Sequence, residues 1–196
     1  MIYICENILD LDVEKALRVV STQRRDKALR YRFDIDRRQS LAAYMLLMYG
    51  LRKEYNIDMA PIFAYTTDGK PYIRNHIDIH FNLSHCHRAV ACAISNYPIG
   101  VDIEAIAPID WHVARRVMND AQLRHIESSA EPERSFSQLW TMKESLLKQT
   151  GEGLCDDLPR LAIDTQLFTH HHAKEYVCTV CYSTSEQDDA FSIVTL

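Results

Sequence analysis

The spacing of hydrophobic residues along the chain predicts a mixture of helices and strands. Apolar residues that recur every three or four positions indicate amphipathic helices, and apolar residues that alternate with polar ones indicate strands. A first helix is predicted at 13–20, and a second begins after the capping residues Ser21 and Thr22. Further helices are predicted around 41–51, at 111–118, at 120–128 and from about 134 to 149, where Gly151 ends the last one. Strands are predicted at 1–5, 62–65, 79–83, 89–94, 99–104, 176–182 and 191–194.

The connections between these segments follow turn signals. The pair Asp68-Gly69 predicts a tight turn. Residues 129–133 are expected to form a loop, and residues 84–87 a short loop between two strands. Because helices and strands are interspersed in both halves of the chain, the pattern predicts an α+β fold with a boundary near residues 97–100.

Composition and charge narrow the class of protein. With 47% hydrophobic and 25% charged residues among 196, the chain has enough apolar material for a folded core. Its net charge of -5 lacks the basic excess that nucleic-acid binders usually carry. The N-terminus has no signal-peptide pattern, and no apolar run approaches the roughly 20 residues that span a bilayer. A cytoplasmic protein without nucleic-acid or membrane partners is therefore expected.

Cysteines and histidines give no metal signature of their own. In a cytoplasmic protein the cysteines are expected to be reduced thiols. They are Cys5, Cys86, Cys92, Cys155, Cys178 and Cys181. The last two lie three positions apart in a predicted strand, so their side chains face opposite ways and would not share a metal. The triplet His170, His171 and His172 is expected to be a solvated loop rather than a metal site.

The segment Asp102-Ile103-Glu104 is the first candidate for chemistry. Residues two apart in a strand point to the same face, so Asp102 and Glu104 place two carboxylates side by side. A hard divalent cation such as Mg²⁺, which prefers oxygen ligands, would relieve their repulsion. The alternative is a solvated strand face, where charged residues usually lie.

The second candidate lies on the helix predicted at 134–149. Glu144 and Lys148 stand one helical turn apart, in the order that favours a surface ion pair. Lys143 falls within the apolar arc of the same helix. Either its ammonium reaches past the apolar side chains to solvent, or it binds an anionic ligand at the seam between the two halves.

Basic side chains form a third, scattered group. Lys70 follows a predicted turn and His85 lies in a predicted loop, positions from which side chains often bind ligands. Arg24 and Lys27 lie near a predicted helix start, where cations and free N–H groups can hold phosphate oxygens. Taken singly, each of these basic residues is of a kind that any protein surface carries. The sequence has no glycine-rich phosphate loop and no nucleophile elbow, so these patterns name no reaction.

Four motifs together resemble the signature of a known family. They are Gly69-Lys70-Pro71, Phe81-Asn82-Leu83-Ser84-His85, Gly100-Val101-Asp102-Ile103-Glu104 and Trp140-Thr141-Met142-Lys143-Glu144-Ser145-Leu146-Leu147-Lys148. In this order and spacing they resemble the Sfp-type phosphopantetheinyl transferases, from about residue 20 to residue 155. The resemblance implies two similar α+β halves related by a pseudo-twofold, 1–98 and 99–196, with coenzyme A bound at their seam.

The resemblance also implies an activity. The enzyme would transfer the 4′-phosphopantetheine arm of coenzyme A to a serine of an apo acyl or peptidyl carrier protein, releasing adenosine 3′,5′-bisphosphate. Asp102, Glu104 and Glu144 would hold Mg²⁺. Lys148 would contact the pyrophosphate and assist the leaving group, and Glu144 would accept the serine proton, directly or through water.

Coenzyme binding is implied for a further set of residues. Arg24, Lys27 and His85 match positions that hold the 3′-phosphate, and Lys70, Ser84 and Ser40 match other coenzyme-binding positions. Lys143 joins this set because of its place in the apolar arc. We expect a monomer, and Arg115 and Arg116 are a candidate docking patch for an acidic carrier protein.

Three alternatives remain at this point. The short holo-acyl-carrier synthase type performs the same chemistry as a trimer of smaller subunits, but the chain length and the separate Lys70 and His85 motifs argue against it. A non-catalytic module that binds coenzyme A or a carrier protein is disfavoured by the intact Asp102 and Lys148. An unrelated magnesium phosphohydrolase would use the same carboxylates, but it leaves the Lys70 and His85 motifs unexplained.

Overall fold

Helices and strands occur in both halves of the chain, which confirms the predicted α+β class. The computed structural model describes residues 1–153, 157–184 and 190–196. Its elements are β1 (Ile2–Cys5), α1 (Val13–Val19), α2 (Thr22–Leu29), α3 (Asp34–Tyr55), β2 (Phe63–Tyr65), β3 (Pro71–Ile73), β4 (His80–His85), β5 (Val90–Ser95), β6 (Ile99–Ala105), α4 (Trp111–Val117), α5 (Asp120–Ser128), α6 (Pro132–Thr150), β7 (Phe168–His172), β8 (Tyr176–Tyr182) and β9 (Phe191–Ile193). No helix in these ranges is both long and apolar enough to cross a bilayer.

The first sheet has the strand order β4-β5-β1-β9. Strand β1 pairs antiparallel with β5 and parallel with β9. Helix α3 covers one face of this sheet, where Leu46 and Leu47 share an apolar cluster with Tyr3 and Ile94. A Cβ on Gly50 would lie 2.3 Å from Cδ1 of Ile94, so the helix lies directly against the sheet at this glycine.

The second sheet has the order β6-β8-β7 and packs against the other face of the first sheet. Val101 and Val180 share an apolar cluster with Ile2, Ile4 and Ala91 of the first sheet. Helix α6 packs along β6 and β8 on the far side. The layers therefore run helix, sheet, sheet, helix, as expected for elements that each bury one apolar face.

Strands β4 and β6 meet at the seam between the two halves. The Oδ1 atom of Asn82 accepts a hydrogen bond from the backbone N–H of Val101 at 3.0 Å. The Oγ atom of Ser84 accepts one from the backbone N–H of Ile103 at 3.3 Å. Side chains of β4 thus satisfy backbone donors that would otherwise be buried without a partner. The seam fixes β6, and with it the carboxylates that β6 carries.

The structure corrects several predicted boundaries. Helix α6 begins at Pro132 rather than near residue 134, because a proline in the first helical turn has no N–H to satisfy. Gly151 ends this helix as predicted, in the left-handed conformation with a φ of 84°. Strand β4 continues through Ser84 and His85 and does not give way to a loop before them. Strand β3, which begins at a proline, carries too little apolar alternation to be predicted.

The prediction of a solvated loop at the histidine triplet is wrong. These residues belong to β7, which pairs antiparallel with β8 and places His170 opposite Thr179. The run Phe-Thr-His-His-His has little apolar alternation, so its strand conformation comes from pairing with the buried β8.

The described cysteines are free thiols, and Cys155 lies outside the described residues. Cys178 belongs to the cluster between the two sheets, whereas Cys181 packs with Met142 beneath α6. The predicted opposite orientation of these two side chains is therefore confirmed. Both act as small core residues.

Candidate active site

A glycine at position 100 allows α6 to lie directly on β6. A Cβ there would come within 1.9 Å of the carbonyl oxygen of Ser145 and 2.5 Å of the backbone nitrogen of Gln149. Both are helix backbone atoms, which cannot turn aside as a side chain can. The close approach brings Lys148 of α6 within hydrogen-bond distance of Asp102 on β6.

Asp102 is the centre of a buried polar cluster to which β4, β6 and α6 each contribute. Its Oδ1 atom lies 2.6 Å from Nζ of Lys148 and accepts a hydrogen bond from Oγ of Ser84 at 2.8 Å. Lys148 also donates to Ser84, at 3.1 Å. The Asp102 side chain is 7% exposed and that of Lys148 30%, so solvent screens this ion pair only partly.

Ser84 is fully occupied by these contacts. Its hydroxyl donates to Asp102 and accepts from Lys148 and from the N–H of Ile103. A serine hydroxyl has one donor and two acceptor positions, so none is left for a ligand. Ser84 therefore orients the ion pair across the seam.

Two carboxylate oxygens in this cluster are buried without a hydrogen-bond partner among the described residues, Oδ2 of Asp102 and Oε1 of Glu144. Burial and then the charge of Asp102 raise the pKa of Glu144 and the pKa of Glu104. The charge of Lys148 opposes both shifts. The cluster therefore carries more negative than positive charge, and it contains carboxylate oxygens that could bind a metal ion.

These oxygen donors fit a hard divalent cation, which prefers carboxylate ligands. In the part of the chain that is described, no group of three or more His, Cys, Asp or Glu side chains is arranged to hold a metal ion. Asp102, Glu104 and Glu144 offer oxygen ligands of the right type, but in this arrangement Lys148 is the counter-charge of Asp102.

A positively charged cavity of about 350 Å³ lies on the N-terminal side of the seam. Arg24 and Lys27 of α2 line it, and Ser21 caps this helix by accepting a hydrogen bond from the N–H of Arg24 at 3.2 Å. The Arg24 guanidinium donates to Oγ of Ser40 at 3.2 Å and lies 5.0 Å from the ring centre of Tyr44. Ser40 and Tyr44 thus fix the direction in which this cation points.

The electrostatics of this cavity favour an anion. Burial lowers the pKa of Arg24 and the pKa of Lys27, and the charge of Arg24 lowers that of Lys27 further. His85, at the end of β4, lines the same cavity, and the partial burial of its ring and then the charge of Lys148 lower its pKa. The described lining of the cavity includes no carboxylate, so an anionic ligand would relieve the repulsion between Arg24 and Lys27.

The turn between β2 and β3 places Lys70 against the end of α6. Gly69 adopts a φ of 84°, which the turn requires and which glycine tolerates without strain. The Nζ atom of Lys70 donates to the carbonyl oxygen of Gln149 at 2.8 Å. Carbonyls in the last helical turn have no partner within the helix, so this lysine satisfies one of them. Burial lowers the pKa of Lys70.

A second cavity, of about 300 Å³, lies between this turn and α6. It is lined by Lys70, Glu144 and Lys148, and it shares Gly69 and Pro71 with the cavity at Arg24. One groove therefore runs along the seam, from the cations of α2 to the carboxylate cluster.

Lys143, predicted to bind the coenzyme, lines neither cavity of this groove among the described residues. Its side chain is 0% exposed, and Nζ donates to the carbonyl oxygen of Leu158 at 2.6 Å. Lys143 thus fixes the segment that follows α6. Arg115 and Arg116 are exposed in the last turn of α4, and a docking role for them stays a prediction.

Comparison with known proteins gives one family for both halves. The family described as "4′-phosphopantetheinyl transferase, N-terminal" matches residues 9–96, and the "4′-phosphopantetheinyl transferase superfamily" matches residues 98–189. The 4′-phosphopantetheinyl transferase psf-1 of Bacillus pumilus is 34% identical over 188 residues, which cover 92% of this chain and 80% of that protein. The chain belongs to the Sfp-type phosphopantetheinyl transferase family.

Two further relatives of this phosphopantetheinyl transferase come from Bacillus subtilis. The 4′-phosphopantetheinyl transferase Sfp of strain 168 is 33% identical over 156 residues, covering 78% of this chain and 70% of that protein. Another 4′-phosphopantetheinyl transferase is 35% identical over 144 residues, covering 72% of this chain and 64% of its own length. Members of the family transfer phosphopantetheine from coenzyme A to carrier proteins.

Some residues that shape the site of this phosphopantetheinyl transferase have no role in the sequence-based prediction. Asn82 holds the backbone of β6, Tyr44 lies under Arg24, and Gly100 admits α6. The signal for Asn82 is its position two residues before Ser84 in one strand, which puts both side chains on the same side of β4. Tyr44 carries no such signal, because a cation over a ring depends on the tertiary packing of α2 and α3.

Proposed function

We propose that this chain transfers the 4′-phosphopantetheine arm of coenzyme A to a serine of an apo acyl or peptidyl carrier protein in a reaction that requires Mg²⁺. The observation that carries this proposal is the groove that joins Arg24 and Lys27 to Glu144 and Lys148. Its cationic end suits the phosphates of a nucleotide, and its other end suits metal-assisted phosphoryl transfer. The products would be holo carrier protein and adenosine 3′,5′-bisphosphate.

Asp102, Glu104 and Glu144 are the proposed Mg²⁺ ligands. The unpaired, buried oxygens of Asp102 and Glu144 support this assignment. So do the raised pKa values of Glu104 and Glu144, which reflect burial and negative charge that a dication would offset. When bound, Mg²⁺ would neutralise charge on the pyrophosphate of coenzyme A.

Glu144 is the proposed acceptor of the proton from the carrier serine, directly or through a water molecule. Glu144 lines the groove, as a base for an incoming serine hydroxyl must. The serine oxygen would form a bond to the β-phosphorus while the bond between that phosphorus and the leaving phosphate oxygen breaks. Lys148, which lines the same cavity, would meet the negative charge that develops on the leaving nucleotide.

The proposed coenzyme contacts lie along the same groove. Arg24, Lys27 and His85 would bind the 3′-phosphate, and Lys70 would bind farther along towards α6. Ser40 would contribute by holding the Arg24 guanidinium. Ser84, also predicted to bind the coenzyme, would contribute by holding Lys148 and Asp102.

The remaining parts of the proposal concern the whole protein. We propose two structural halves, 1–98 and 99–196, because the groove is lined from both sides of this boundary. The cytoplasmic location, the monomeric state and the docking of an acidic carrier at Arg115 and Arg116 are further predictions from the sequence.

The intact mass of an apo carrier protein tests the proposed reaction. After incubation with this protein, coenzyme A and Mg²⁺, we expect the carrier to gain the mass of one phosphopantetheine group. Chelation of the metal by EDTA should prevent the gain, and excess Mg²⁺ should restore it. Binding of coenzyme A without modification of several fatty-acid, polyketide and peptidyl carriers would instead support a non-catalytic binding module.

A further inference from the structure

Three polar residues lie in a row across the second sheet, beneath α6. Asp102 of β6 pairs with Thr179 of β8, and Thr179 pairs with His170 of β7. Residues directly opposite one another in neighbouring strands point to the same face of a sheet, so all three side chains face α6. Thr179 is 0% exposed, and His170 is partly buried. Polar groups in such a place require hydrogen-bond partners, and α6 supplies one.

Thr141 of α6 contacts the middle of this row. Its Oγ1 atom lies 2.6 Å from Oγ1 of Thr179, and Nδ1 of His170 lies 3.0 Å from the same Thr179 oxygen. The Thr141 hydroxyl also donates to the carbonyl oxygen of Gln138 at 3.0 Å. The three contacts form one hydrogen-bond chain from β7 through β8 to α6.

The direction of this chain follows from its last acceptor. A carbonyl oxygen can only accept, so Thr141 donates its proton there and accepts from the hydroxyl of Thr179. The Thr179 oxygen is then the acceptor for an N–H on Nδ1 of His170. Burial and then the neighbouring His172 lower the pKa of His170 to about 4, so the ring is neutral near pH 7 and carries its one proton on Nδ1.

Thr141 lies on the same side of α6 as the proposed catalytic residues. Glu144 and Lys148 follow it at three and seven positions, close to whole helical turns. Polar contacts therefore join the helix to the sheet on both sides of Glu144: Thr141 to Thr179, and Lys148 to Asp102. Only the second contact uses a proposed metal ligand. The first contact involves neither Asp102 nor Lys148, so it does not depend directly on what Asp102 binds.

We propose that His170, acting through Thr179 and Thr141, is a positioning residue that holds Glu144 in place beside Asp102. The inference rests on the function proposed for Glu144. His170 lines neither cavity of the groove among the described residues, so it acts through the helix and not on the substrate. Without the His170 N–H, the Thr179 hydroxyl keeps its bond to Thr141 but loses one of the two contacts that orient it. The contact between β8 and α6, one turn before Glu144, is then less well defined.

Four variants separate this role from general packing. Thr179→Val and His170→Leu remove members of the chain while keeping similar side-chain volumes. His170→Asn keeps an N–H donor at nearly the same distance from the backbone as Nδ1. His172→Leu is the matched control, because His172 lies on the same face of β7 and is exposed. The measurements are the kinetics of carrier modification and the hydrogen exchange of α6 amides in the coenzyme-free protein.

We expect Thr179→Val and His170→Leu to lower kcat about three- to tenfold, the effect of one hydrogen bond, with the KM for coenzyme A unchanged. Hydrogen exchange should become faster in the middle of α6 in both variants. His170→Asn should restore both values most of the way to wild type. His172→Leu should match wild type in both measurements.

Several results would overturn the proposal. Normal kcat in His170→Leu would do so, as would a His170→Asn variant no better than His170→Leu. Unchanged α6 exchange in His170→Leu would refute the helix contact whatever the activity, and it decides the question if Thr179→Val does not fold. A wild-type protein that modifies no carrier would refute the proposed function instead, and the exchange data would still show whether His170 holds α6.

Discussion

Lys148 gives Asp102 a counter-charge at 2.6 Å, whereas Glu144, one turn earlier on the same helix, has a buried oxygen with no partner in the described residues. The two carboxylates therefore differ in what their charge does to the fold. The charge of Asp102 is paired and hydrogen-bonded, so its loss would leave Lys148 without its partner. The charge of Glu144 is disfavoured by burial and by Asp102, so the fold gains little from it.

The first prediction at this scale concerns Glu144→Gln. Transfer to the carrier should fall by about 100-fold or more, since the amide neither accepts a proton nor binds a cation as a carboxylate does. The melting temperature should stay the same or rise, because an unfavourable buried charge is removed. Glu127→Gln, at an exposed position of α5, is the control for both measurements. Near-normal turnover in Glu144→Gln would refute both roles proposed for this residue.

The second prediction concerns Arg24→Ala. The KM for coenzyme A should rise by about tenfold or more, because a charge-assisted phosphate contact contributes about 1.5–3 kcal/mol. The KM for 3′-dephospho-coenzyme A should hardly change, since that ligand lacks the group Arg24 would bind. Arg18→Ala, an exposed arginine of α1, should leave both values as in wild type. Equal losses for the two ligands in Arg24→Ala would place the 3′-phosphate elsewhere.

The sequence is informative for single residues where a motif fixes both spacing and element type. Asp102 and Lys148 meet as their strand and helix positions imply. Lys143 is the contrary case: its place in the apolar arc is predicted, but the structure gives it an internal acceptor, the carbonyl oxygen of Leu158. The hydrophobic pattern contains no information about a backbone carbonyl fifteen positions away. The sequence therefore does not distinguish a lysine that binds a ligand in the groove from one that binds an internal carbonyl.

At the scale of elements, the contact between α6 and β6 determines the site. Gly100 faces helix backbone, whereas Gly50 on the other side of the molecule faces the side chains of Ile94 and Tyr3. Side-chain atoms can rotate away from an added methyl group, and helix backbone can move only with the whole helix. The two glycines have the same packing role but differ in how much of the structure would move with them.

The third prediction compares these two glycines. Gly100→Ala should displace α6, cost about 3 kcal/mol or more of unfolding free energy and lower transfer about 100-fold. Gly50→Ala should cost about 1–3 kcal/mol with kcat nearly unchanged, because α3 lies away from the carboxylates. Urea unfolding and carrier modification measure the two effects. A Gly100→Ala variant with normal kcat would show that α6 can shift without disturbing Glu144.

Strand β7 shows why one element escapes prediction. The helix α6 and the strand β6 have apolar residues at a clear period, but β7 has three consecutive histidines that fit no period. Its conformation comes from its partner β8, whose residues are all buried. Strand pairing is a tertiary interaction, and a pattern confined to a few residues does not contain it.

The fourth prediction concerns pH and follows from the burial of His170. Its pKa is lowered to about 4 in the folded protein, against about 6.5 in an unfolded chain. Between these values the unfolded state binds more protons, so stability is complete above pH 6.5 and decreases as pH falls through 6.5 towards 4. The loss should be on the order of 1 kcal/mol, because part of the ring reaches solvent and its charge would be screened.

Urea unfolding of wild type and His170→Asn at pH 7 and pH 5 measures this effect. The partial burial of the His172 ring and then the charge of Arg134 also lower the pKa of His172. His172 contributes in the same direction in both proteins, so the difference between them isolates His170. Identical pH dependence in the two proteins would show that His170 is not the group responsible.

At the scale of the whole molecule, contacts between side chains and backbone join the two halves. Asn82 and Ser84 accept from the N–H groups of Val101 and Ile103, and Lys70 donates to the end of α6. These contacts lie beside the groove, so the site exists only where both halves are present. Family membership could be predicted from four motifs. The contacts between β4 and β6 could not, because they depend on how the two sheets pack, which is a tertiary interaction.

On one edge of β6, the side chains of Asn82 and Ser84 bind the backbone N–H groups that a neighbouring strand would otherwise bind. A C-terminal half produced without residues 1–98 would lack these acceptors. In that fragment β6 would be an open edge with bare backbone donors at Val101 and Ile103, next to an uncovered apolar face. Open edges of this kind recruit strands from other molecules. We expect the fragment to aggregate, and light scattering at increasing concentration would measure it. Adding the separate N-terminal half should suppress the aggregation, since its Asn82 and Ser84 supply the acceptors that keep β6 from pairing with β6 of another copy of the fragment.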